Sequence, residues 1–398
     1  MSNVLKIYML AIISFLVGTS EFIIAGILDK VAVDVGVSVS VAGQLITVFS
    51  LAYALGTPIV IAVTARMERR QLLLYALGVF AVGNLIALAL PGFTFLLLSR
   101  VVLAISTGVF LVTSLTVAAK LAAPGKQGSA IATLIMGFST SLIIGVPLGR
   151  VAASVYDWKL IFGVIGLLGV LAMLLILIAI PKSNGEEPVP IRKQFTLLKK
   201  PEIAIALAVA FMWIGGYSVV YSYISPYLLT ITKLSEQSVS IALFAFGIAS
   251  LFGSKFGGYS TDRWGAPRTL VIGMLFNTIA LVLLSLAGQS PLIVFPLLMF
   301  WSFTVWSSSP TQQFHLMSLA PEASGIMLSM NTSVLHLGMA VGAGLGGVVV
   351  EQASLSYISW IGATSVILAA ATAATFFRIS YSRKRREELK CNLIKMNA

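Results

Sequence analysis

The sequence predicts an all-α integral membrane protein of twelve transmembrane helices, arranged as two parallel six-helix repeats. Three observations predict it. Of 398 residues, 58% are hydrophobic and only 10% charged, with a mean hydropathy of +0.99, whereas about a quarter of a soluble chain is charged. Apolar runs of spanning length, roughly 20 residues each, recur twelve times. A single offset of 197 residues then superimposes the second six runs on the first.

The runs lie at 7–28, 43–63, 71–91, 95–119, 129–151, 159–180, 203–225, 238–258, 269–287, 292–313, 325–349 and 356–377. All are expected to be helices, because a lone strand cannot satisfy its backbone in lipid. The first is too long for a signal-peptide core, carries Glu21, and is followed by Asp29 instead of a small-residue cleavage site, so it is expected to stay as a span. Between the sixth and seventh runs, 181–202 holds Pro181, Pro188, Pro190, Pro201 and eight charged residues. That composition reads as a cytoplasmic linker. It divides an N-terminal bundle (1–180) from a C-terminal bundle (203–377), which a basic tail (378–398) follows.

Sorting the charges by this map tests the topology. With both termini inside, 21 of the 26 Lys and Arg fall on the cytoplasmic side, four outside (Lys30, Arg150, Lys159, Lys233) and one, Arg100, within a helix. This is the positive-inside pattern. It accounts for the net charge of +12 without nucleic acid, which would need a basic solvated face. The lone cysteine, Cys391, excludes an intrachain disulfide and a cysteine-based metal site, and no cofactor or metal is expected.

The offset pairs Gly56 with Gly253, Arg66 with Arg263, Ala123-Pro124 with Ala320-Pro321, Gly128 with Gly325, Gly145 with Gly342, and Gly149 with Gly346. Because it spans six helices, an even number, the halves share one orientation, as in a known transporter architecture.

Charged groups in lipid are costly and mark function by default. Glu21 in the first run and Arg100 in the fourth lie at matching depths, roughly 10 Å below the outer surface at ~1.5 Å per residue. An ion pair that opens and closes with conformation would load and release a proton, since desolvation and a nearby guanidinium act oppositely on a carboxylate. The alternative is a structural pair, with Arg100 snorkelling to the surface. His336 in the eleventh run is a third proton-coupling candidate, although a lone histidine in a helix commonly serves packing.

Trp213, Tyr217 and Tyr221 share a helical face at i, i+4 spacing, and with Trp301, Trp306 and Asn331 they would suit a flat or amphipathic solute. An aromatic belt at the interface is the competing reading. Gating candidates are Gly258, Asp262, Arg263 and Gly265 after the eighth run, and Arg66 and Arg70 in the equivalent loop after the second. In the fifth run Gly145, Pro147 and Gly149 are expected to form a flexing seam where the halves meet, matched by Gly338, Gly342 and Gly346 in the eleventh. Small residues every fourth position also make plain packing seams.

These motifs carry a resemblance that covers the whole chain. The loop around Gly258, Asp262, Arg263 and Gly265, the helix-five motif of Gly137, Gly145, Pro147 and Gly149, and Arg100 resemble the major facilitator superfamily, and within it the twelve-helix drug:proton antiporters. The loop after the second run departs from the motif, with Ala65 and Glu68 where Asp and Gly are usual. After Arg100 the usual glycine four residues on is absent, and Gly108 follows instead. Segments such as "TSEFIIAGIL", "AGQLITVFSLAYALGTP" and "SMNTSVLHLGMAVGAGLGG" look like the bacterial branch of purine base and nucleoside efflux pumps and arabinose-type sugar exporters.

The resemblance implies a proton-coupled exporter of the bacterial plasma membrane, working by alternating access. Its partners would be a small solute, protons and the bilayer, and it would act as a monomer. Purine bases or nucleosides are the expected solute, with sugars or hydrophobic drugs as alternatives. An enzyme is not expected, because the membrane portion offers one carboxylate, one arginine and one central histidine, without a catalytic motif. A non-transporting sensor would usually carry a further soluble domain.

Overall fold

A computed structural model describes residues 2–124, 126–183, 196–287 and 289–396. Among these residues twelve helices are long and apolar enough to cross a membrane. They are α1 (Asn3–Val35), α2 (Val39–Val63), α3 (Arg69–Ala89), α4 (Phe93–Leu121), α5 (Gln127–Thr140 continued by Val146–Val155), α6 (Lys159–Ala179), α7 (Pro201–Tyr221), α8 (Glu236–Trp264), α9 (Ala266–Ala287), α10 (Pro291–Leu319), α11 (Ser324–Gln352) and α12 (Ile358–Met396). Most of the expected linker, 184–195, lies outside the described residues. The last helix does not stop at 377. It runs through the basic segment to Met396.

Two expected helices are interrupted, each at a proline. Proline removes one backbone donor and crowds the carbonyl four residues before it. In α5 the carbonyl opposed by Pro147 is that of Ile143, and residues Ser141–Gly145 form a π turn, the usual way for a helix to absorb such a conflict. After α7 the crowded carbonyl is that of Ser222, so the helix ends at Tyr221, and a short helix, Ile224–Thr230, carries Pro226. The expected continuous run 203–225 is therefore broken. A third break has no proline. Within α1, Ile27 leaves the helical region (φ −125°, ψ 17°), where Ser225 and Arg150 take the carbonyl of Gly26. Tyr223, one residue from the position equivalent to Ile27, has nearly the same backbone (φ −115°, ψ 17°).

The 197-residue offset extends to the turns. Ser38 and Ser235 each cap the helix they precede, accepting from the amides of Val41 and Ser238 at 3.2 Å, a favoured helix start. Two residues before them, Gly36 (φ 70°) and Lys233 (φ 57°) both adopt the left-handed conformation.

Packing repeats likewise. In the first half α1 lies against α5 and α4, α2 against α4, and α3 against α4 and α6; in the second, α7 lies against α11, α8 against α10, and α12 against α7 and α9. At Gly253 and Gly257 the backbones of α8 and α10 approach so closely that a Cβ would strike the carbonyls of Phe303 and Ser307. The halves meet along two seams, α2 with α11 and α5 with α8, which the repeat maps onto one another, and where α1 meets the short helix Ile224–Thr230. The seam contacts cluster toward one end of the bundle, the end reached by the C-terminus of α1, which we call distal.

Candidate functional site

Residues from both halves enclose a small central cavity, with a free volume of about 30 Å³, room for on the order of two waters. The first half contributes Glu21 and Phe22 from α1, Phe49 and Ser50 from α2, and Arg100 from α4; the second contributes Tyr217, Ser218, Tyr221 and Ser222 from α7 and Met339 from α11. A solute of nucleobase or sugar size requires the halves to move apart.

Glu21 and Arg100 share this wall, as their depths predict, but they form no direct ion pair. Arg100 is fully buried and donates through Nη1 to the carbonyl of Ser20 and through Nη2 to that of Glu21, each at 3.0 Å. Its guanidinium lies 4.5 Å from the centre of the Phe49 ring, within cation–π range. The planar fork thus fastens α4 to the backbone of α1 and does not snorkel to the surface. Both carboxylate oxygens of Glu21 are buried without a hydrogen-bond donor among the described residues. An unmet buried acceptor costs on the order of 1–3 kcal/mol. Beneath it, Ser20 Oγ donates to Asn84 Oδ1 at 3.4 Å.

Across the cavity, Tyr217 and Tyr221 stack at 5.0 Å with ring planes 15° apart, as i, i+4 spacing predicts. Behind them Trp301 packs on Tyr217 at 5.6 Å, and Phe246 on Tyr221 and Trp301 at 5.5 and 5.2 Å, completing a four-ring cluster. Trp301 therefore supports the wall. Trp213, Trp306 and Asn331 do not line this cavity; the two indole N–H groups and Asn331 Oδ1 are buried without partners among the described residues. Phe49, Phe246, Ser218 and Ser222 were not singled out in the sequence. Phe246 is one of 22 phenylalanines, and nothing in its local pattern separates it from those facing lipid.

His336 lies elsewhere. Its ring stacks on Tyr53 at 3.7 Å and 15°, joining α11 to α2 across the halves, and its Nδ1 has no partner among the described residues.

The gating candidates divide. Gly145 and Gly149 have no space for a Cβ against Thr19 and Ile23 of α1, and Gly342 and Gly346 none against Gly215 and Val219 of α7. These seams pack each half internally. The opposite faces of the same helices meet the other half, where Ile143 closes on Gly247 of α8 and Thr47 of α2 on Gly344. At the other end of the bundle, Arg66, Asp262 and Arg263 are exposed and Arg70 partly so. Arg263 donates to Tyr259 Oη at 2.6 Å within its own helix. Gly265 ends α8 with φ 81°, and Gly258 faces open space.

The chain is 55% identical over 369 residues to the MFS-type transporter YbcL of Bacillus subtilis (strain 168), covering 93% of this chain and 95% of the relative. It is 28% identical to the inner membrane transport protein YdhP of Escherichia coli (strain K12), covering 96% and 97%. It is 26% identical to a probable sugar efflux transporter of Helicobacter pylori (strain P12), covering 92% and 93%. Among solved structures, a bacterial homologue of the human lysosomal transporter Spinster superimposes with a TM-score of 0.75 at 17% identity, covering 94% of this chain and 96% of that one. The human organic anion transporter MFSD10 gives 0.70 at 16%, covering 93% and 99%. The family model of the Major Facilitator Superfamily matches residues 10–332 and 206–392. With twelve membrane-crossing helices in two parallel repeats around a cavity shared by both halves, the chain belongs to the Major Facilitator Superfamily and is a multi-pass membrane transporter.

Proposed function

We propose that the protein is a proton-coupled exporter of the bacterial plasma membrane, with both termini cytoplasmic, as the distribution of basic residues favours. In this reading 1–180 and 203–377 are the moving units, 181–202 joins them, 378–398 is a basic cytoplasmic tail, and the monomer is the working unit. The observation that carries it is the unpartnered carboxylate of Glu21 on the wall of a cavity that both halves build. In one conformation it takes a proton. In another it meets water or a solute donor and releases that proton, so solute and proton compete for one acceptor. Arg100 positions it by holding the α1 backbone. His336, on a contact that breaks when the halves part, is a second proton-coupling group.

The stacked pair Tyr217–Tyr221, backed by Trp301, offers a flat apolar face beside the hydroxyls of Ser218 and Ser222. This favours a planar heterocycle with polar edges, and purine bases or nucleosides are the proposed solute. Trp213, Trp306 and Asn331 would join the solute's surroundings only once the cavity widens. A sugar is the second reading, favoured by relatives named as probable sugar efflux transporters. Asp262, Arg263, Arg66 and Arg70 are proposed to close the cytoplasmic side in the opposite conformation.

In inverted vesicles with an imposed proton gradient, Glu21→Gln should abolish proton-driven purine transport while leaving the amount of folded protein unchanged; persistence of gradient-driven transport would remove Glu21 from the coupling. Cells overproducing the protein should resist toxic purine analogues better than cells lacking it. Equal sensitivity, together with gradient-driven sugar movement in the same vesicles, would favour the sugar reading.

A further inference from the structure

The distal end carries a group of charges that the solute site does not use. Arg150, near the end of α5, is fully buried. It holds Asp29 of α1 with two bonds, at 2.8 and 3.2 Å, and Glu236 at the start of α8 at 2.9 Å, and it also donates to the Gly26 carbonyl. Lys30 of α1 reaches the same Glu236 oxygen at 3.2 Å. Asp29, Lys30 and Arg150 belong to the first half and Glu236 to the second. At the break in α1, Ser225 from the second half donates to the carbonyls of Ala25 and Gly26 at 2.9 and 3.1 Å. On the other seam Ser40 donates to Glu351 at 3.0 Å. A neighbouring pair, Lys159 with Asp34 at 2.7 Å, lies entirely within the first half.

From this arrangement we infer that Arg150, Asp29, Lys30 and Glu236 form an ionic latch that holds the distal mouth shut, with Arg150 as its keystone. The inference rests on the alternating-access reading above. The two Nη groups of a guanidinium fully withdrawn from water need acceptors; those of Arg150 meet the Gly26 carbonyl and two carboxylates, while its Nε has no partner among the described residues, and one of the carboxylates, Glu236, is supplied by the opposite half. Parting the halves would remove Glu236 from Arg150 and Lys30 together, and Ser225 from the break at Ile27. The bonds are therefore realised in one conformation and lost in the other, the condition under which a contact shifts an equilibrium.

The test uses the full chain with Cys391→Ser, cysteines at the exposed distal positions Val33 and Gln237, and spin labels on both, in lipid nanodiscs without solute. Pulsed spin–spin distances then report the distal opening. Glu236→Gln and Arg150→Gln should each add a longer-distance population, raising the open-to-closed ratio about five- to tenfold, as expected when charge-assisted bonds present in one state are removed. Lys159→Gln should leave the distribution unchanged. Glu236 is partly exposed, so its variant keeps the test open where Arg150→Gln fails to fold. An unchanged distribution in folded Glu236→Gln, or an equal shift in Lys159→Gln, would overturn the latch. Because no solute or gradient is present, a failure of the export reading in vesicles leaves this result standing on its own.

Discussion

Lysine in place of Arg100 keeps the charge and loses the fork that spans two successive carbonyls of α1. A point-like ammonium cannot meet the Ser20 and Glu21 carbonyls with the same fixed geometry. Arg100→Lys should lower stability by about 1–3 kcal/mol, the scale of a buried group left unmet, and slow transport through displacement of Glu21. Thermal melting of the purified protein and efflux measured together would check this; an unshifted melt would show that the two carbonyl bonds add nothing. At this scale the sequence identified the charges because Glu21 and Arg100 stand alone in apolar runs. It did not show what they bind, since the guanidinium's partners are backbone atoms, which any residue at 20 or 21 would offer. Phe49 and Phe246 escaped for a related reason: Phe246 packs on Tyr221 and Trp301, whereas Phe252 and Phe256 on the same helix are exposed, and composition is blind to that difference.

Among the elements, the left-handed turn before each Ser cap sets a clear expectation. Gly36 adopts its φ of 70° without a Cβ, but its counterpart Lys233 adopts 57° with one, at a cost of roughly 1–2 kcal/mol, which the greater chain entropy of glycine offsets in part. Lys233→Gly should therefore be neutral to stabilising, by up to about 1 kcal/mol, read as a small rise in melting temperature. A fall would mean that the lysine makes a compensating contact. Pro226 is the opposite case. Its ring accounts for the break after Tyr221, so Pro226→Ala should let α7 run on and displace Ser225 from the Ala25 and Gly26 carbonyls; higher labelling of a cysteine at Ser225 would report it. Hydropathy found every span, because twenty apolar residues in succession leave few alternatives. It missed the π turn and both distal breaks. These depend on how a proline ring or an inserted side chain meets a carbonyl, and an apolar run looks the same with or without them.

Across the whole molecule, the constant offset revealed the duplication, and the structure shows how far it reaches, from caps and left-handed turns to the two seams. The expected gate charges Arg66, Asp262 and Arg263 are exposed, with Arg263 bonded within its own helix, while of the charges that do bridge the halves, Arg150 and Lys30 were sorted in the sequence only as outer-side residues and Glu236 was not singled out. A count of charges by side carries no information about which of them face each other.

The duplication does not extend to the charges at the distal mouth. The residue equivalent to Arg150 is Gly347, and the equivalent of Glu236 is Val39, so the α5–α8 seam carries the Arg150 cluster while its twin has small residues, the Tyr53–His336 stack and a Ser40–Glu351 bond at that place. The two sides of the mouth are therefore not interchangeable. Shielding by dissolved ions weakens charge pairs near the surface far more than close apolar packing. High salt should therefore weaken the half-exposed Lys30–Glu236 pair beside the α5–α8 seam, while the buried Arg150 contacts and the α2–α11 side are largely spared.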